Sequence, residues 1–223
     1  MRAGWLVAMG MVCLCECLPP VGCARKPPED PNAPVRLLLH LRDLQHNQSY
    51  KEMESLVDPS RARVLIDTLM AMDHLLLAAT QLQQTAEQRL GPHAAVVCNL
   101  GSLADYLGPF SRNVEVVSTR MDGDSATITY QVGERVPIER ARVRRVSGQW
   151  RYMPDEPDYA LPTLLRQLTD AMIRLHSQAE TGAHTEPTFI EEYARQVLTP
   201  LQAHLQKAAA QRKAKAMSAA TQP

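Results

Sequence analysis

The chain has 223 residues, 24 Lys and Arg against 24 Asp and Glu, and aromatic side chains at only 4% of positions. That length is enough for one substantial apolar core. The zero net charge removes the bulk electrostatic reason for binding nucleic acid.

Four of the five cysteines, Cys13, Cys15, Cys17 and Cys23, fall within eleven positions. They do not read as a metal cluster, because thiolates need a folded scaffold to converge on one ion, and Pro19-Pro20 in an apolar N-terminal segment offers none. Arg2 followed by an apolar run from Trp5 to Leu18 is instead the layout of a secretory signal peptide. At about fourteen residues the run is shorter than the roughly twenty that cross a bilayer. Val21-Gly22-Cys23 resembles the end of a bacterial lipobox, in which a small residue precedes a cysteine that is diacylated and becomes the new N-terminus. The resemblance implies a signal peptide over 1–22 and lipid on Cys23, although Pro20 stands where such signals usually carry leucine. Ordinary cleavage after Ala24, at the small-x-small site Gly22-Cys23-Ala24, is the alternative, and it would leave a secreted or periplasmic soluble protein.

Residues 23–33 read as a tether. Proline and alternating charge without apolar periodicity keep such a stretch extended, at about 3 Å per residue, and able to hold a domain roughly 30 Å from a membrane. From Pro34 the composition changes. Leu37, Leu38, Leu41 and Leu44 predict a short apolar helix, and Tyr50, Met53, Leu56 and Val57 a smaller second one. Asp58-Pro59 reads as a capped helix start. The long helix it opens carries Leu65, Leu69, Met72, Leu76 and Ala79 on one face, widened by Ile66, Met70 and Leu77, and ends at Gly91-Pro92. Cys98, in the apolar setting "HAAVVCNL", is expected to be a buried structural thiol. "SLADYLGPF" (102–110) adds one short turn or helix. Asp67, Asp73, His74 and Asp105 are polar groups on these helices, and on an amphipathic helix charge usually lies on the solvated face.

The period then changes from 3.6 to 2. An extended run from Asn113, an Asp122-Gly123 turn, and the alternation Ala126, Ile128, Tyr130, Val132 predict a hairpin whose second strand faces a core. A third strand from about Val136, a Ser147-Gly148 turn and a fourth strand with Trp150 and Tyr152 complete an antiparallel meander. Ile138 is out of phase with Ala141 and Val143, which predicts a bulge near Glu139-Arg140.

Helices followed by bent strands that end in "SGQW" resemble the nuclear transport factor 2-like (cystatin-like α+β) superfamily, and specifically bacterial envelope lipoproteins of unknown function with such domains. Gly123-Asp124, the alternation Ala126-Ile128-Tyr130, and Val143 with Gly148-x-Trp150-x-Tyr152 carry the resemblance, over about 34–154. It implies an α+β fold, N-terminal helices packed on a bent antiparallel sheet of about four strands, the curved sheet wrapping a long helix as a cone with an open mouth. Catalytic members, such as ketosteroid isomerases and polyketide cyclases, place an acidic base and a hydrogen-bond donor inside the cone. Asp67 or Asp105 with Tyr106 or Tyr130 are the residues of this chain able to imitate that pocket, but no catalytic motif accompanies them, and the stripe on the long helix predicts an apolar interior. Arg135, Arg140, Arg142, Arg144, Arg145 and Arg151 crowd the third and fourth strands, and the alternate members Arg140, Arg142 and Arg144 project from one face of a strand. They form either a solvated face, partly balanced by Glu134 and Glu139, or a surface for an anionic partner such as lipid headgroups, polysaccharide or an acidic protein.

Beyond "PDEPDYALP", Leu161, Leu164, Leu165, Leu168, Met172 and Leu175 make one helical stripe. Thr188-x-x-Glu191 reads as the capping box of a second helix with Ile190, Tyr193, Val197, Leu201 and Leu205, in which Pro200 forces a kink or restart and Thr199 is a candidate cap. The two stripes predict a helical hairpin over 155–209, closed on itself and on the domain or a second copy of the chain, with a loose basic tail at 210–223. His176, His184 and His204 lack ligand spacing and are expected at the surface. No cofactor and no metal are expected. The function these readings favour is a lipid-anchored, non-enzymatic envelope protein that binds an envelope partner or a small apolar ligand. An enzyme using the cone and a helical scaffold are the alternatives.

Overall fold

Two apolar clusters divide the interior, and one helix of 31 residues runs through both. The computed structural model describes residues 30–133 and 138–220, without the side chains at 102, 104–106, 212, 213 and 215–220. The expected signal segment, Cys23 and most of the tether lie outside the described residues, as do Glu134 and Arg135.

The architecture is mixed α+β. Helix α1 (Ala33–His46) and helix α2 (Tyr50–Leu56) precede the long α3 (Pro59–Arg89), the short α4 (Pro92–Val97) and a 3₁₀ segment, Gly101–Phe110. Strands β1 (Val114–Asp122), β2 (Ser125–Val132), β3 (Glu139–Val146) and β4 (Gln149–Met153) form an open antiparallel sheet in sequence order. Helices α5 (Leu161–Glu180), α6 (Glu186–Tyr193) and α7 (Thr199–Ala220) follow.

The sheet's inner face presents Ala126, Ile128, Tyr130 and Val132 from β2 and Ala141 and Val143 from β3, as their alternation dictates. Leu37, Leu38, Leu41 and Leu44 of α1, with Met53 and Val57, cover that face. Only the first turns of α3 join them, through Ala62, Leu65, Ile66 and Leu69. From Ala71 onward α3 turns to the helical cluster, where Leu75, Ala79, Leu82 and Ala86 meet Leu165, Leu168, Met172 and Leu175 of α5. The resemblance implied a sheet wrapped round the long helix. Here the short α1 occupies that place, because α5 to α7 supply α3 with a larger apolar partner along most of its length. Met70 and Leu77, expected to widen the buried stripe, are instead exposed.

The turns follow their glycines. Gly123 alone has positive φ (+56°) in the two-residue Gly123-Asp124 turn, which makes it type II′ and shifts the turn one residue beyond the expected position. Ser147 and Gly148 are both positive, the I′ geometry for β3–β4. The bulge lies in β1: register shifts between Val116 and Ser118, leaving Val117 extra, while β2–β3 pairing runs unbroken from Tyr130–Glu139 to Ser125–Arg144. Ile138 is out of phase because it precedes β3, and it is exposed.

In the tail, α6 starts three residues before the expected box. Thr185 N–H donates to Thr188 Oγ1 at 3.0 Å, with Pro187 in the first turn, where a missing N–H costs nothing. Phe189, Tyr193, Val197 and Leu201 are buried, whereas Leu205 is exposed. Residues Ala194–Leu198 form a π turn, and Thr199 keeps helical φ and ψ of −61° and −49°, so it is no cap. A wider turn just before Pro200 gives the ring room against the preceding carbonyls and lets the helix continue to Ala220, past the start of the expected loose tail. No described helix is long and apolar enough to cross a membrane.

Candidate functional site

Tyr130 is the expected pocket residue that the fold buries. Its place on β2 points it inward, and its hydroxyl donates to Glu139 Oε2 at 2.6 Å. Glu139 sits opposite it in the β2–β3 register and therefore faces inward, not among the outer arginines it was expected to balance. The signal for this pairing was the same alternation that placed Tyr130, once β3 starts at Glu139. Gly108, at φ +58°, closes the third side: a Cβ there would lie 3.0 Å from the Tyr130 hydroxyl and 3.4 Å from Glu139 Oε2. Burial first, and the Glu139 carboxylate second, push the Tyr130 phenol far above its ordinary range. The group is thereby held as a protonated donor to the Glu139 carboxylate.

Asp67 does not join it. It is half-exposed on α3, 3.9 Å from Arg166 Nη2 of α5, on the seam between two helices. The side chains of Asp105 and Tyr106 lie outside the described ones. Asp73, by contrast, is drawn inward: it accepts from Gln45 Nε2 at 2.9 Å and from the Tyr50 hydroxyl, tying α1, α2 and α3 together. Burial and then Asp73 raise the Tyr50 phenol as well. His46 completes this end of the sheet core, one ring nitrogen 3.1 Å from the Phe110 carbonyl. These contacts join α1 to α2, α3 and the 3₁₀ segment.

The outer face of the sheet is different. Arg140, Arg142 and Arg144 all project from it and are exposed. In register, Thr127 of β2 lies between Arg142 and Arg120 of β1, Ser125 between Arg144 and Asp122, and Thr129 between Arg140 and Ser118. Arg151 of β4 stands directly opposite Arg144. Arg142 reaches Asp155 at 3.1 Å and also lines an open hollow of about 420 Å³ with Ser60, Arg61, Glu156, Pro157 and Tyr159. Arg145 belongs to another setting, 5.0 Å over the Trp150 ring and 3.9 Å from Asp124. Sequence spacing identified the β3 triplet and placed Arg151 in the same cluster, whereas Arg120 joins it only through strand register.

Cys98 is free and buried, its thiol pushed up to about 12 by desolvation. His204, expected at the surface, is mostly covered and lies 2.9 Å from Asp158 Oδ2, fastening α7 to the loop before α5. Among the described residues no three His, Cys, Asp or Glu side chains are grouped to hold a metal ion. No family model, no curated protein and no solved structure matches the chain.

Proposed function

We propose that the protein is a lipid-anchored, non-enzymatic protein of a bacterial cell envelope, which binds an anionic partner on the outer face of its sheet. The observation that carries the binding half is the pairing of Arg144 with Arg151. Like charges directly opposite each other on neighbouring strands repel. An anion lying between them, with the Ser125 hydroxyl alongside, would turn that repulsion into two charge-assisted contacts. The packed inner face supports a surface partner over a small apolar ligand held within the sheet. The non-enzymatic reading rests on the separation of Asp67 from Tyr130, and on the closure of Tyr130 by Glu139 and Gly108. We read the fold as a variant of the nuclear transport factor 2-like arrangement whose interior is filled by α1.

The anchoring half rests on Val21-Gly22-Cys23 and the proline-rich stretch after it. In a bacterial host the wild-type chain should incorporate labelled fatty acid and sediment with membranes, and Cys23→Ser should do neither. A wild-type product recovered soluble with Arg25 as its first residue rejects the anchor and selects cleavage after Ala24.

A further inference from the structure

The strand order leaves two sheet edges. Part of β4's edge is occupied, because Asp58 N–H donates to the Tyr152 carbonyl at 2.9 Å and Val57 bridges Tyr152 in parallel. The edge of β1 has no such cover among the described residues, and Val117 and Met121 on it are 55% and 36% exposed. Nine residues of open edge without a proline are an invitation to another strand.

The bulge at Val117 decides which strand fits. Before it, Val114 and Val116 share the inner face, opposite Val132 and Tyr130. After it, Thr119 and Met121 do, opposite Ile128 and Ala126. The hydrogen-bonding parity changes at the same point. Gly133 N–H donates to the Asn113 carbonyl at 2.9 Å, so odd residues before the bulge bond toward β2, and Val114 and Val116 turn their N–H and C=O to the free edge. The two-residue turn closes on a bonded Asp122–Ser125 pair, so after the bulge it is Thr119 and Met121 that turn outward.

A regular strand cannot follow that reversal, which is how bulges ordinarily protect an edge. A second β1, carrying the same reversal, can. We propose that β1 pairs antiparallel with β1 of a second copy, across a twofold axis between Val117 and Ser118. Val114 then faces Met121, Val116 faces Thr119, and Val117 faces Ser118 of the other copy. Outward-turned backbone meets outward-turned backbone, and inner face meets inner face. On the outer face Glu115 of each copy meets Arg120 of the other, and neither has an ion partner within its own described chain. A slip of one residue sets Glu115 against Met121 or Thr119 and breaks every one of these matches. The interface is isologous, as a twofold dimer requires, and it joins the two outer arginine faces into one surface.

The test is sedimentation of the full chain in density-matched detergent, from about 1 to about 200 µM, a range that covers edge contacts of modest area. Wild type should dimerise. Glu115→Arg and Arg120→Glu each replace two attractive cross-strand pairs by two repulsive ones, and each should weaken the dimer about tenfold or more. The double variant Glu115→Arg/Arg120→Glu should recover to within about threefold of wild type. Both side chains are exposed, so circular dichroism should show all variants folded. A chain monomeric throughout the range overturns the proposal and leaves the edge to a different protein. A dimer indifferent to either reversal, or a double variant as weak as the singles, overturns it in favour of contact through another surface.

Discussion

The sheet core and the helical core share α3 but differ in where their polar bonds lie. Around the sheet, directional bonds join segments distant in sequence: Gln45 to Asp73, Tyr50 to Asp73, Tyr130 to Glu139, His46 to Phe110. The interior of the helical core is hydrocarbon, with Phe189 stacked on Tyr193 at 6.3 Å, and its ion pairs, Asp67–Arg166 and Asp158–His204, lie at its margin. A sheet needs its register specified, since a one-residue slip turns every side chain over, whereas helices slide into place by shape. Of the four bonds only Tyr130–Glu139 links two strands and so marks register; the other three fix the helices and the 3₁₀ segment that cover the sheet.

The harshest way to break this comparison is to remove one side of it. Truncation after Pro154 deletes α5 to α7 and strips Leu75 and Leu82, both at 0% exposure, of their cover. The remaining chain should lose its cooperative melt and aggregate, because an apolar stripe of that length is not left in water. A soluble truncated protein that melts sharply would make the sheet half an independent domain.

Next in size are single cavities, one in each core. Phe189→Ala should cost about 3–5 kcal/mol and Leu38→Ala about 2–5 kcal/mol in chemical denaturation. Since α3 passes through both clusters without a break, each variant should still unfold in one transition seen identically by near-UV and far-UV signals. Two resolved transitions would separate the cores.

Much of this arrangement was legible beforehand. The start of α3 at Pro59, the β2 alternation, the Ser147-Gly148 turn and the α5 stripe are local patterns that survive in the structure, although the Asp58 side chain makes no cap bond there. The choice of partner for α3 was not legible, because Leu65 to Ala79 present one stripe that fits a sheet or a helix equally well. The capping box was misplaced for a related reason: Thr185 and Thr188 are both competent, and Pro187 settles between them only once the helix is built. At the candidate site, spacing revealed the β3 arginines and Arg151, but the addition of Arg120, the placing of Arg151 opposite Arg144 and the inward turn of Glu139 depend on register across strands.

Alkali offers a finer probe of the two cores. Cys98 and Tyr193 in one, and Tyr130 and Tyr152 in the other, have pKa values raised first of all by burial. Each is protonated in the folded chain where its unfolded counterpart has ionised. Their contribution is full below the unfolded pKa and is lost as pH rises toward the folded one. For Cys98 that window runs from 9.0 to about 12. Each such group should subtract up to about 1.4 kcal/mol per pH unit within its window. Cys98→Ala should flatten the decline that begins near pH 9, and Tyr130→Phe the part above pH 10, at a neutral-pH cost for the latter of about 1 kcal/mol from one lost hydrogen bond. An unchanged alkaline profile in both would mean that these groups reach solvent.

The smallest expected effect on stability is on the outer arginines, and there the smallness is informative. Arg140, Arg142 and Arg144 are exposed, and the Arg142–Asp155 pair, with side chains 62% and 84% exposed, is too solvated to hold the sheet. Replacing all three by Ala should move stability by less than about 0.5 kcal/mol. Removing three like charges from one strand face relieves repulsion, against Arg151 above all, so the shift should be toward stability. Binding should respond in the opposite direction. Wild-type chain displayed on vesicles should capture a polyanion such as heparin, with an affinity that falls steeply with salt, and the triple variant should lose that capture at low salt while keeping its melting curve. Equal retention by wild type and variant would return the arginines to the role of a solvated face. Loss of retention together with a lowered melting temperature would mean that they act on the fold, leaving the anionic partner without support.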